Sequence, residues 1–162
     1  MMSPTIIHSI WITPKSKEPL KEVTCAIAEA EKGLRGDRYY YGLGSFSRWQ
    51  RPNRHLSVIA KEDIDKAFEE TGIDLNNGRH RRNIVTLNID PRELIGSKFK
   101  IGEAEFLGLS SCPPCKILER LTEAGAFQAM RNRGGIRAAI LKSGEVKKGD
   151  KIQILETKKK LP

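Results

Sequence analysis

"KFKIGEAEFLGL", residues 98–109, alternates charged and apolar positions on either side of Gly102-Glu103. A period of two broken by a glycine-containing pair reads as a β-hairpin whose turn is Gly102-Glu103. Other segments repeat the signal. "IIHSIWI" (6–12) alternates weakly, while "HLSVIA" (55–60) and "NIVTLNI" (83–89) are rich in β-branched residues. "GIRAAIL" (135–141) and "DKIQIL" (150–155) read as a closing strand pair, joined through turn residues at Ser143-Gly144 and Gly149-Asp150. The count is six or seven strands.

Helix signals occur at only two places. "KEDIDKAFEETG" (61–72) puts Ile64, Ala67 and Phe68 on one face, carries acidic residues in its first turn and stops at Gly72. From Pro114 to Met130, Ile117, Leu118, Leu121, Ala124, Phe127 and Met130 form a second apolar stripe, with Gly125 placed to split it. Many short strands with few helices predict a mainly β fold, a closed or nearly closed β-barrel with peripheral helices rather than a doubly wound sheet. The segment Tyr39 to Arg54 has aromatics and arginines without periodicity and reads as an ordered surface loop.

A chain of 162 residues fits one domain, 1–162, able to bury about 70% of its unfolded surface without disulfide staples. Its three cysteines, Cys25, Cys112 and Cys115, are too few for a disulfide framework, and no signal peptide or membrane-length apolar run is evident. A cytoplasmic protein that neither crosses nor needs a membrane is expected. The net charge of +9 favours anionic partners. Part of it lies in the tail 158–162, read as frayed and solvated; the rest gathers around glycines, at Arg35 and Arg38, at Arg79, Arg81 and Arg82, and at Arg131, Arg133 and Arg137. Such groups suit a chelated anion.

The segment "CPPC" (112–115) carries the chemistry. A strand delivers the chain to Cys112, the prolines suit a helix start, and Cys115 is predicted in the first helical turn, where unpaired amides and Lys116 would favour a thiolate. Four readings stay open on the residues alone. C-x-x-C spacing fits a thioredoxin-type redox pair, although that normally sits in a βαβ setting. Structural zinc needs two further ligands, and Cys25, His8, His55 and His80 are scattered singly. A single reactive thiolate, or two packed thiols at a Pro-Pro turn, completes the set. Cys25 in "EVTCAIAEA" reads as a core strand residue.

Taken in order, "GLRGDRY" (33–39), "GRHRRNIVTLNID" (78–90), "LIGSKFKIGEAEFLG" (94–108), "CPPC" and "RGGIRAAILKSGEVKKGDKI" (133–152) resemble a MOSC domain, the C-terminal domain of molybdenum cofactor sulfurases, which also occurs as stand-alone bacterial proteins. The resemblance implies a β-barrel and a site for the molybdenum cofactor, a pterin dithiolene bearing molybdenum or tungsten and a terminal phosphate. It implies that Cys115 is the metal ligand or persulfide carrier. It places Asn83 next to the cofactor with Arg81 or Arg82 as basic neighbour, and Gly36, Asp37 and Arg38 on a site-facing loop. Arginine and glycine in "NGRHRRN" and "RNRGGIR", including Arg133 and Arg137, suit the pterin phosphate.

The family precedent for turnover is reduction of N-hydroxylated compounds. Its alternative is a sulfur-relay or cofactor-handling module without turnover. No pyridoxal-phosphate domain precedes the barrel, so pyridoxal phosphate is not expected and sulfur would come from a separate cysteine desulfurase. The sequence carries no flavin, haem or iron–sulfur motif, so electrons would come from a donor protein. A chain this small leaves little room to shield a large pterin, so cofactor binding is expected to be shared with a carrier or transient. A nucleic-acid-binding barrel that stacks bases on Tyr39, Tyr40, Tyr41, Phe46 and Trp49 is a third reading, set below the others.

Overall fold

The computed structural model describes residues 3–43 and 55–157. The hairpin forms as its sequence requires: β7 (Lys98–Ile101) pairs antiparallel with β8 (Ala104–Ser111), Phe99 opposite Phe106 and Ile101 opposite Ala104. Gly102 supplies the positive φ of 59° that a two-residue turn of this hand needs at its first position. Both phenylalanines are fully buried, and their rings stack with centroids 5.4 Å apart.

This hairpin belongs to an eight-stranded mixed sheet of order β11-β7-β8-β9-β5-β6-β1-β2. The remaining members are β1 (Ile6–Ile12), β2 (Lys21–Val23), β5 (Leu56–Ala60), β6 (Ile84–Leu87), β9 (Ile136–Lys142) and β11 (Ile152–Glu156). A smaller sheet, β10-β3-β4, combines β10 (Gly144–Lys147), β3 (Cys25–Glu29) and β4 (Gly33–Leu34). Ile7, Ile10, Val58, Ile84, Ile136 and Ile140 from the large sheet meet Ala26, Ala28, Leu34 and Val146 from the small one in the main core.

β5 and β6 are the parallel pair, and a parallel pair needs a crossover. It is supplied by helix α1 (Lys61–Thr71), ended by Gly72 in the left-handed region. Ile64 and Ala67 of α1 join Ile59, Val85, Leu118, Ala126, Ala129 and Met130 in a second core on the other face of the sheet. The helical stretch near the cysteines is divided, as Gly125 suggested, into α2 (Lys116–Leu121) and α3 (Ala126–Met130).

Several expectations are corrected. The large sheet is not closed into a barrel. β2, three residues long, takes the free edge of β1 along Ile10–Ile12, and the other end of that edge meets the chain before β11 through one bridge, Ile6 to Lys151. Bonds such as Ile7 N–H to Asp150 O (2.9 Å) tie the two ends without a continuous ladder. The last two predicted strands do not pair with each other: β9 lies between β8 and β5, while β11 pairs with β7. Phe68 is exposed because only Ile64 and Ala67 of α1 reach the sheet. Cys25 sits on a strand as expected but points outward, since its neighbours Ala26 and Ala28 take the core-facing phase. Most of the predicted 39–54 loop, with Phe46 and Trp49, and the tail 158–162 lie outside the described residues.

Candidate functional site

At one end of the large sheet, four segments converge: the start of β5, the start of β6, the first half of β9 and the end of β8. Register forces this, because Ser57 lies opposite Arg137, Val58 opposite Ile84, and Ser111 opposite Ile136. The chain leaves β8 at Ser111, passes Cys112, Pro113 and Pro114, and enters α2 at Lys116. A cavity of about 230 Å³ forms there, with Cys115 and the two prolines on one wall and Arg38, Arg81, Arg82 and Arg137 around it. Tyr39, Leu56, Ser57, Asn83 and Cys112 complete the lining, and no carboxylate among the described residues borders it.

Arg38, Arg81 and Arg82 are each held differently. Arg38 is buried and ion-paired to Asp37 (Nη1 to Oδ1, 3.1 Å), with its guanidinium 4.9 Å from the centre of the Tyr39 ring. Asp37 is fully buried and organises this loop. Its Oδ1 also accepts the Thr13 N–H at 3.2 Å, and its Oδ2 accepts the Tyr39 N–H at 3.3 Å. Arg81 sits in the left-handed region at φ 63° and donates to the Glu18 carbonyl. Burial first, and then the neighbouring Arg38 cation, pull its pKa down to about 10, with Asp37 acting in the opposite direction, so it stays charged at neutral pH. Arg82 reaches across to the carbonyls of Gly134 (2.7 Å) and Cys112 (3.0 Å).

Asn83 serves three strands at once. Its Oδ1 accepts the Ser57 N–H at 3.2 Å, its Nδ2 donates to the Trp11 carbonyl at 3.1 Å, and its own carbonyl accepts the Trp11 N–H at 2.7 Å. The side chain borders the cavity yet its amide is engaged in holding β1, β5 and β6 together. Behind it, His80 is buried edge-on against Trp11 with ring centroids 5.6 Å apart. Burial, and then Arg82 and Arg81, push its pKa down to about 3, so it is neutral and its Nδ1 accepts the Arg82 N–H at 2.9 Å.

Cys115 is half-buried and is the N-cap of α2 rather than a residue of its first turn, because α2 starts at Lys116, two positions after Pro114. That helix has six residues, too short for the helix-end stabilisation expected of a longer one. Cys112 is buried at 3% exposure, and both are free thiols. Among the described residues no three His, Cys, Asp or Glu side chains group as metal ligands.

Of the predicted site residues, Arg38, Arg81, Arg82, Asn83, Arg137 and Cys115 are brought together. Asp37 supports the group from behind, and Gly36 turns the same loop at φ 90°. Arg133 is not part of it. Arg133 pairs with Glu70 and borders a different cavity of about 330 Å³ with Asp63, Asp90 and Arg92. Arg79 pairs with Glu123 and Arg35 with Glu29, both away from the site. Sequence reasoning missed Ser57, whose signal was a lone hydroxyl inside an apolar strand, and the supporting His80.

The sequence model of the MOSC domain matches residues 44–153, more than half of the chain. The fold is shared with solved structures. The YuaD protein from Bacillus subtilis superposes with a TM-score of 0.78 at 16% identity, over 98% of this chain and 100% of that one. YiiM from Geobacillus stearothermophilus gives 0.70 at 15% identity, over 94% and 76%. YiiM from Escherichia coli gives 0.66 at 19% identity, over 93% and 70%. No curated protein matches the sequence. Among the described residues no helix is long and apolar enough to cross a membrane. The chain belongs to the MOSC domain family.

Proposed function

We propose that this MOSC-domain protein binds the molybdenum cofactor, in its molybdenum or tungsten form, with Cys115 Sγ as a ligand of the metal and Arg38, Arg81 and Arg137 facing its anionic portion. One observation carries the reading: a half-buried thiol shares a cavity with four arginines and, among the described residues, no lining carboxylate. The donor set fits the group. A thiolate is the soft ligand that a sulfur-bound metal selects, and guanidinium groups are the strong partners of phosphate. At about 230 Å³ the cavity falls below the roughly 300–1,000 Å³ of sites that enclose a whole small molecule, so it would take one part of the cofactor and leave the rest to a carrier or partner.

When bound, the group supplies two-electron chemistry, and the reaction we assign to it is reduction of N-hydroxylated compounds with electrons from a separate donor protein. The chain's own residues hold and exclude. Arg38, fixed by buried Asp37, and Arg81, fixed by the Glu18 carbonyl, are oriented before any ligand arrives. Tyr39, Pro113 and Pro114 bring apolar surface to the rim and limit water at Cys115.

The test is metal analysis and pterin fluorescence on anaerobically purified protein and on Cys115→Ser. Serine is a good N-cap, so α2 should persist in the variant. At least a tenfold loss of metal in Cys115→Ser is expected. Equal metal in both proteins, or failure to load either, removes the ligand role. Cyanide-releasable sulfur on Cys115 without metal would make the protein a sulfur carrier instead.

A further inference from the structure

Four arginines border the cavity, and Arg82 is bonded to the protein in a way that Arg38 and Arg81 are not. We infer that Arg82 is a positioning residue that sets the conformation of the Cys112–Cys115 segment, and with it the place of Cys115 Sγ, rather than a ligand of the anion. The significance of Cys115 rests on the cofactor reading above; the positioning itself does not.

The segment cannot hold itself. β8 ends at Ser111 and α2 begins at Lys116, so residues 112–115 lie outside both ladders, and Pro113 and Pro114 have no N–H to offer. The Cys112 N–H donates to the Gly135 carbonyl at 2.8 Å. The carbonyls of Cys112 and Pro113 still need donors, and the Arg82 Nη2 stands 3.0 and 3.4 Å from them. Its Nε donates to the Gly134 carbonyl at 2.7 Å. One planar fork thus staples two irregular segments, the cysteine turn and the 134–135 turn, across 30 and 52 residues of sequence.

The base of that arm is rigid. The Arg82 N–H is bonded to buried His80, and the next residue, Asn83, is locked among three strands. A guanidinium whose Nε and Nη2 both face inward carbonyls is directed at the protein, whereas Arg38 and Arg81 are tethered with a single Nη1 each. A lysine could reach one carbonyl but cannot span both segments, because its ammonium is a point and not a fork.

The test uses metal-free protein, so its result does not depend on whether the cofactor reading survives. Iodoacetamide labelling is followed by mass spectrometry at each cysteine in the native protein, Arg82→Lys and Arg82→Ala. Exposed Cys25 serves as the internal reference, and buried Cys112 is the reporter. In the native protein Cys112 should stay protected. In Arg82→Ala its labelling relative to Cys25 should rise at least tenfold, low-millimolar guanidinium should restore protection, and the affinity for inorganic phosphate should fall less than it does in Arg81→Gln. Arg82→Lys should fall between, and it decides the matter if Arg82→Ala does not fold. Cys112 protection unchanged in the variant, with phosphate affinity lost, would overturn the inference and return Arg82 to the anion.

Discussion

Cys112 and Pro113 border two cavities, and the two treat arginine in opposite ways. In the larger, Arg92 is clamped by Asp90 (Nη2 to Oδ2, 2.7 Å) and Arg133 is paired with Glu70. Asp63 adds a further carboxyl there, pushed up first by burial and then by Asp90. In the smaller, four arginines meet no lining carboxylate among the described residues, and Asp37 is buried behind Arg38. Neutralised arginines build structure; arginines crowded together without lining carboxylates leave a positive field for something else to neutralise. The glycines at 134 and 135 and the cysteine turn separate these regimes, so what keeps the two cavities distinct is backbone geometry.

The hardest way to break the distinction is therefore Gly134→Ala. A Cβ on Gly134 would stand 2.0 Å from the Cys112 carbonyl oxygen, closer than any real contact, with Arg82 Nη2 at 3.4 Å. Backbone must move, and the atom displaced is the carbonyl that Arg82 holds. A loss of about 3 kcal/mol is expected from overpacking plus the broken bonds. Thermal unfolding would show it as a lower Tm, together with faster labelling of Cys112. An unchanged Tm would mean that the two turns are not in this contact.

The same contrast explains what the sequence could and could not reveal. Strands with β-branched runs, such as Leu56–Ala60 and Ile84–Leu87, were legible because period and composition agree. Gly33–Leu34 and Lys21–Val23 were not, since two or three residues carry no period and become strands only because a partner edge is present. Closure of the sheet was over-read for a related reason: local patterns say that strands exist, not which ones meet. Arg133 and Arg137 show the limit at the site. Four positions apart in sequence, they fall on different cavities because the chain enters β9 between them. Cys115 and the arginines of 81–82 were legible by residue type, but the use of Arg82 on carbonyls 30 residues or more away was not.

Acid offers a gentler test, because it strikes the cationic side from behind. His80 is neutral in the folded protein with a pKa near 3, whereas an unfolded histidine titrates near 6.5. The unfolded chain therefore binds the extra proton first. The stability that neutral His80 provides is complete above about pH 6.5 and is lost as the pH falls toward 3, amounting to about 2 kcal/mol by pH 5. His80→Gln keeps an acceptor for the Arg82 N–H but cannot be protonated. Its unfolding free energy should decline less steeply than that of the native protein between pH 6.5 and 5. Parallel slopes would mean that His80 does not carry the acid sensitivity.

The smallest effect separates the cavities most cleanly. Arg81→Gln removes a cation that has no carboxylate partner among the described ion pairs, while Arg133→Gln removes one already matched by Glu70. For phosphate or molybdate as probe, Arg81→Gln should weaken binding five- to tenfold, about 1 kcal/mol, since a charge-assisted contact is lost without a compensating release. Arg133→Gln should leave binding within a factor of two. Raising salt should narrow the difference between native protein and Arg81→Gln, because the attraction being removed is partly unscreened. Calorimetric titration of the three proteins at low and moderate ionic strength reads both effects. If Arg133→Gln weakened the probe as much as Arg81→Gln, the anion would be sensing net charge alone, and the partition of arginines between the two cavities would carry no functional meaning.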